Sequence, residues 1–218
     1  MTGFPNSPKL LRAGLILISP DNGSVERIIT LQYAPETLSR QVEAQSINEE
    51  SDRSQPLRLT GPAKETMTLE AEIDATDQLE FPTQNTAVTE SGIFPALSAL
   101  ETMIYPTSAQ LERQNAQAAA GSFEITPAET PLALFAWSAR RIVPVRLDSL
   151  QITEEFFDHK LNPIRAKVSL SLRVLSVDDL GFGHRGSGLF MAYLQSKEQL
   201  AGKFAGGTLN ALGAGGMV

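Results

Sequence analysis

Along residues 164–175 hydrophobic and polar positions alternate without a break. Ile164, Ala166, Val168, Leu170, Leu172 and Val174 fall on one parity, and Arg165, Lys167, Ser169, Ser171 and Arg173 on the other. Successive side chains of a strand point to opposite faces, so the pattern predicts a strand over 164–177 with one buried and one wet face. At about 3.3 Å per residue the alternating run spans about 40 Å, long for an ordinary domain. Residues 65–74 carry the same signal: Met67, Leu69, Ala71 and Ile73 face one way, and Thr66, Thr68, Glu70, Glu72 and Asp74 the other.

The polar faces of these two strands differ in sign, acidic on 65–74 and basic on 164–177. As sheet neighbours, within one chain or across a subunit boundary, they would pair and fix register. Residues 132–138 and 142–153 are two further strand segments. In the second, Val143, Val145 and Leu147 share a parity that Leu150 and Ile152 do not. One extra residue produces that switch, which predicts a β-bulge near Asp148–Ser149.

Near the start, 13–19 and 25–33 read as strands joined by Pro20-Asp21-Asn22-Gly23-Ser24, where Asn-Gly supplies the positive φ of a hairpin turn. Asn22-Gly23-Ser24 is also a glycosylation sequon, and the turn explains it without one. Residues 41–54 are polar, with Glu43, Glu49, Glu50, Asp52 and Arg53, and predict an exposed, flexible loop or arm. Polar residues and Pro82 dominate 77–89. Then Ile93, Leu97, Leu100, Met103 and Ile104 recur at helical spacing, predicting a helix over 95–105 that Pro106 ends. Residues 109–120 read as a second helix or a loop before Gly121. After a glycine-rich hinge, Phe190, Tyr193, Leu194, Lys197 and Leu200 are spaced for a short helix over 189–204. A Gly/Ala-rich tail, mobile when alone, follows from Gly206.

Length and composition narrow the class. A chain of 218 residues with 42% hydrophobic and 20% charged residues fits one globular core, here a domain over 1–180 with a hinge, helix and tail over 181–218. The net charge of −7 leaves no positive field for a polyanion, so nucleic acid is not an expected partner. With no cysteine there are neither disulfides nor thiolate sites. No signal-peptide pattern and no apolar run of membrane-spanning length occurs, so the chain is expected to be soluble, cytoplasmic at synthesis and not in direct contact with a membrane.

Candidate chemistry is sparse. The two histidines, His159 and His184, lack a metal-ligand context, and no metal site or cofactor is expected. Gly181-Phe182-Gly183-His184-Arg185-Gly186 satisfies G-x-G-x-x-G, but no second strand follows it with an acidic residue, so a hinge or close backbone approach is expected instead. Asp158-His159 falls in a turn over 157–163, and no nucleophile elbow accompanies it. The adjacent pairs Glu49-Glu50 and Glu154-Glu155 read as solvated edges. The expectation is a protein that is not an enzyme.

Several segments together resemble a known family. They are Leu31-Gln32-Tyr33-Ala34-Pro35-Glu36-Thr37-Leu38, Leu69-Glu70-Ala71-Glu72-Ile73-Asp74 and Ile152-Thr153-Glu154-Glu155-Phe156-Phe157-Asp158. Leu161-Asn162-Pro163-Ile164-Arg165-Ala166-Lys167-Val168 and Leu175-Ser176-Val177-Asp178-Asp179-Leu180 complete the set. This set is similar to the tube-protein family of contractile injection systems and, within it, to the baseplate adaptor of bacterial phage-tail-like particles, over nearly the whole chain to about residue 200. Ala34 stands where the family has Asn, and the LysM module of many relatives is not expected in the short, glycine-rich tail from Gly206.

The resemblance implies a mainly β, α+β fold: a tube-like antiparallel β-barrel or sandwich with one or two short helices and a flexible C-terminal tail. It implies a structural adaptor in a six-fold ring of its own copies, joining the inner tube or tube-initiator protein to the spike and to baseplate or sheath components. Candidate contact segments are 41–54, the polar face of 164–177 and 181–218. The candidate contact residues are Glu70, Glu72, Arg165, Lys167, Arg173, Phe182, Arg185, Phe190 and Tyr193. The alternatives are a bulk inner-tube or tube-initiator protein and, from another class, a small-molecule-binding or hydrolytic β-barrel using Glu154, Asp158 and His159.

Overall fold

A computed structural model describes residues 13–19, 22–33, 35–46, 58–119, 121 and 130–207. Among these residues seven antiparallel strands form one sheet: β1 (Gly14–Ile18), β2 (Val25–Thr30), β3 (Leu38–Glu43), β4 (Lys64–Asp74), β5 (Leu132–Ser138), β6 (Arg141–Phe157) and β7 (Pro163–Val174). Their spatial order is β2-β1-β5-β6-β7-β4-β3. Among the described residues six helices flank them: α1 (Thr76–Leu79), α2 (Thr86–Ser91), α3 (Phe94–Glu101), α4 (Ser108–Ala119), α5 (Val177–Leu180) and α6 (Arg185–Ala201). The fold is mainly β, of the α+β class, as expected. The barrel-or-sandwich expectation takes the form of a single sheet whose end strands are β2 and β3; among the described residues no ladder joins them.

β6 organises the sheet. Its first residues pair with β5, and from Val145 to Phe157 it pairs with β7. The ladder with β7 shifts between Leu147 and Ser149, so Asp148 is the extra residue and the expected bulge is present. Leu147 and Leu150 then both face partners on the buried parity of β7, Leu172 and Leu170. Pro144 is tolerated in this central strand because its carbonyl accepts from Leu175 N–H on the β7 side, just beyond the last β6–β7 pair, where no donor is required.

The first hairpin closes as the Asn-Gly signal predicts. Gly23 has φ +70, Ser19 and Ser24 close the turn through their backbones, and Asn22 Oδ1 accepts from Ser24 N–H at 2.8 Å. The core lies on one face of the sheet. Leu15, Phe135, Val143, Leu69, Leu170 and Leu172 belong to the same buried cluster as Ile93, Leu97 and Leu100 from the α3 region, Val177 of α5, and Phe190 and Tyr193 of α6.

Several boundaries differ from the sequence reading. Residues 41–43, expected in a loop, complete the edge strand β3; 47–54 lie outside the described residues, as does the tail from 208. β6 runs on to Phe157, past the expected end at 153, because β7 offers it a ladder that far. The polar stretch 77–89 is overlapped at its two ends by the short helices α1 and α2, which have no buried residues. α4 is a helix, capped reciprocally: Gln110 N–H donates to Thr107 Oγ1 at 3.2 Å and Thr107 N–H to Gln110 Oε1 at 2.8 Å. α6 begins at Arg185 rather than 189, because His184 Nδ1 accepts from Gly186 N–H and starts the helix inside the glycine-rich hinge.

Candidate functional site

The polar face of the sheet is built by period-two alternation on β3, β4, β7 and β6. β4 and β7 are direct neighbours within the chain, with Asp74 opposite Arg165, Glu72 opposite Lys167 and Glu70 opposite Ser169. The sign contrast therefore pairs intramolecularly. Arg165 meets Glu72 at 2.7 Å, and a third strand joins the array, since Glu155 of β6 meets Lys167 at 3.1 Å and Arg165 at 3.6 Å. Arg165 Nε is left buried without a hydrogen-bond partner among the described residues. Arg173 is held at 2.5 Å by Asp179, whose other oxygen accepts from Ser176 N–H and so also caps α5.

A groove on this face is lined by Tyr33, Glu36, Glu70, Gln151, Lys167 and Ser169. The segment containing Tyr33 is fastened there by Gln32, whose side chain makes a backbone-like pair with Asp74: Gln32 Nε2 donates to Asp74 O at 2.6 Å and Asp74 N–H donates to Gln32 Oε1 at 2.9 Å. Desolvation works upward on the Asp74 carboxyl, but bonds from Thr76 and the charge of Arg165 outweigh it and hold it below its ordinary value.

The remaining sequence-selected residues are dispersed. Phe182, 80% exposed, stands out from the α5–α6 connection. Arg185 folds back over the first hairpin, donating from Nη1 to Gly23 O at 2.8 Å; its guanidinium occupies the space a side chain at position 23 would need. Phe190 and Tyr193, selected as partner contacts, are each 6% exposed and sit in this chain's own core, because α6 lays its apolar stripe on the sheet. That placement corrects the sequence reading of these two residues.

A further cluster escaped the sequence reading. Glu65 is 4% exposed on the buried face of β4. Arg40 of β3 approaches its carboxylate at 2.7 Å, Lys197 Nζ of α6 meets Oε2 at 2.7 Å, and Tyr193 OH donates to Oε1 at 3.0 Å. Lys197 also lies 4.1 Å from the Tyr193 ring centroid, one helical turn away. Burial pushes the Glu65 carboxyl up, and the bonds and charges of Lys197 and Arg40 more than reverse this, leaving it below the usual carboxylate range. Burial, aided by the Glu65 charge and opposed by Lys197, pushes the Tyr193 hydroxyl up. The signal was present in the sequence: Glu65 has the parity of Met67, Leu69 and Ala71, and Arg40 that of Leu38 and Val42.

The β6–β7 connection is a turn closed by hydrogen bonds to Asp158. Asp158 Oδ1 accepts from Lys160 N–H at 2.7 Å and Asn162 N–H at 2.9 Å, while Oδ2 accepts from Asn162 Nδ2 at 2.8 Å. Desolvation raises the Asp158 carboxyl, and these bonds outweigh it, so its pKa is lowered. Its oxygens are thus engaged in shaping the turn. Among the described residues, no group of three or more His, Asp or Glu side chains is placed to hold a metal ion, and no helix is long and apolar enough to cross a membrane.

The two end strands present their outer backbone to solvent. β2 is exposed along most of its length, including Val25 and Ile28, and β3 likewise, including Val42. Neither the family models nor the curated proteins compared with this chain match it.

Proposed function

We propose that this chain is a structural adaptor of a contractile injection system, assembled in the cytoplasm into a six-fold ring of its own copies between inner tube and spike. The observation that supports this reading is the pair of unlike edges on one sheet. β2 and β3 end the strand order, and each carries outward-facing backbone groups with no further strand beside it among the described residues. An exposed edge is a template for pairing with another chain. Two unlike edges that fit each other join copies head to tail, and such a contact closes into a ring when the rotation per step permits.

In that arrangement the face bearing Glu70, Glu72, Arg165 and Lys167 forms a continuous polar wall. Phe182 and the strand ends remain for axial neighbours: the inner-tube or tube-initiator protein, the spike, and baseplate or sheath components. Mechanism is then surface complementarity without a chemical step.

The test is light scattering on the size-fractionated full chain, alone and mixed with tube and spike proteins of a contractile injection system. A ring or a stoichiometric complex is expected, and Ile28→Lys or Val42→Lys, which place charge on the edges, should abolish it. A persistent monomer that binds neither partner would overturn the reading.

A further inference from the structure

We infer that helix α6 is a latch on the β3 edge, acting through the single carboxylate of Glu65. This deepens the ring reading in its bearing on assembly, while the coupling itself stands on the geometry of one chain. Glu65 is gripped from two sides that have no other reason to communicate. Arg40 reaches it from the edge strand, and Tyr193 and Lys197 reach it from the helix, both groups within 2.7–3.0 Å.

The energetics make the link conditional. With α6 in place, Glu65 is sealed from water, so the Arg40–Glu65 pair sits where charge attraction is weakly screened. With α6 displaced, the same pair faces solvent and becomes an ordinary surface ion pair, which contributes little. β3 is the element that feels the difference. It has six residues, one neighbouring strand and no fully buried side chain, so beyond the backbone ladder with β4 and the half-buried Leu38 few side-chain contacts hold it. α6 occupancy therefore sets how firmly β3 is held, and by thermodynamic reciprocity the ordering of β3 sets how firmly α6 docks. A partner that pulls on α6 would loosen the edge; a copy that pairs with β3 would tighten the helix.

The experiment is amide hydrogen exchange on the full chain, comparing three variants with the parent. Lys197→Met and the conservative Tyr193→Phe should each accelerate exchange of Leu38–Glu43, by about 5-fold or more for a coupling of ordinary size, and leave Val25–Thr30 on the opposite edge unchanged. Arg40→Gln should accelerate exchange within α6. Unchanged β3 rates, acceleration of both edges alike, or no reciprocal effect on α6 would each overturn the latch. Should Lys197→Met fail to fold, Tyr193→Phe carries the same comparison. Ring formation is scored separately by light scattering: coupling without a ring removes the adaptor reading and keeps the latch, and a ring without coupling does the reverse.

Discussion

Lys197 and Glu65 are 132 residues apart in the chain and 2.7 Å apart in space, and the contact ties the last described helix to the buried face of β4. Tyr193, one turn earlier on α6, adds a hydroxyl bond to the same carboxylate. A buried charge in this position is tolerable only while its partners remain.

Removing one partner should therefore cost more than an exposed ion pair would. Lys197→Met is expected to lower stability by about 1–3 kcal/mol, the penalty of leaving a buried group short of a partner. Urea unfolding followed by circular dichroism measures it; a loss within the range of surface pairs, under about 1 kcal/mol, would show that the cluster is solvated.

The same cluster fixes a pH dependence. Glu65 has a folded pKa below its ordinary value of 4.5, so its contribution is complete above that value and is lost as pH falls through the folded pKa. Acid unfolding curves should show a steeper loss below about pH 4.5 in the parent than in Glu65→Gln, whose remaining slope comes from groups such as Asp74 and Asp158. Parallel curves for the two proteins would contradict this.

Gly92 is locked against the β6–β7 turn. It has φ +57, and a β-carbon there would lie 2.2 Å from the carbonyl oxygen of Pro163. Its neighbour Ile93 donates its N–H to that same oxygen at 2.9 Å. Gly92→Ala should destabilise by about 1–3 kcal/mol, seen as a lowered thermal midpoint, because the strained backbone and the close approach both resist the methyl group. An unchanged midpoint would mean that the α2–α3 junction moves freely.

Two bulky residues of that turn region also hold positive φ, Phe156 at 52 and Leu161 at 63, with 66% and 75% of their surface exposed. The left-handed conformation costs about 1–2 kcal/mol for such residues, while the entropy lost at a glycine is about 0.5–1 kcal/mol. Leu161→Gly should therefore stabilise the isolated chain by about 0.5 kcal/mol, and Leu161→Ala, which keeps its β-carbon, should not. Calorimetry of the two variants decides, and equal midpoints would refute the strain.

On the polar face, Lys167 and Glu155 are 3.1 Å apart and partly exposed. A double-mutant cycle with Lys167→Ala and Glu155→Ala should give a coupling of about 0.2–1 kcal/mol, as for other cross-strand charge pairs. A coupling of zero would show that the array does not hold register.

Local pattern alone determined a good part of this molecule. Alternation located β4 and β7 because a half-buried strand writes its two faces into successive residues. The parity switch located the bulge at Asp148, because one extra residue turns the following side chains to the other face, and Asn22-Gly23 located the first turn, because its positive φ is a backbone state that few residues supply. Tertiary structure decided what local pattern does not encode. β3 is polar on most of its positions and is a strand because β4 lends it a ladder. α6 starts four residues early because the side chain of His184 accepts from one of its first free N–H groups, that of Gly186. The polar-face charges are paired within the chain because three strands bring Glu72, Arg165, Lys167 and Glu155 into one row. Glu65, a carboxylate on an apolar parity, acquires its meaning only when a strand 25 residues away and a helix 128 residues away arrive to neutralise it, and that meeting is a property of the folded chain.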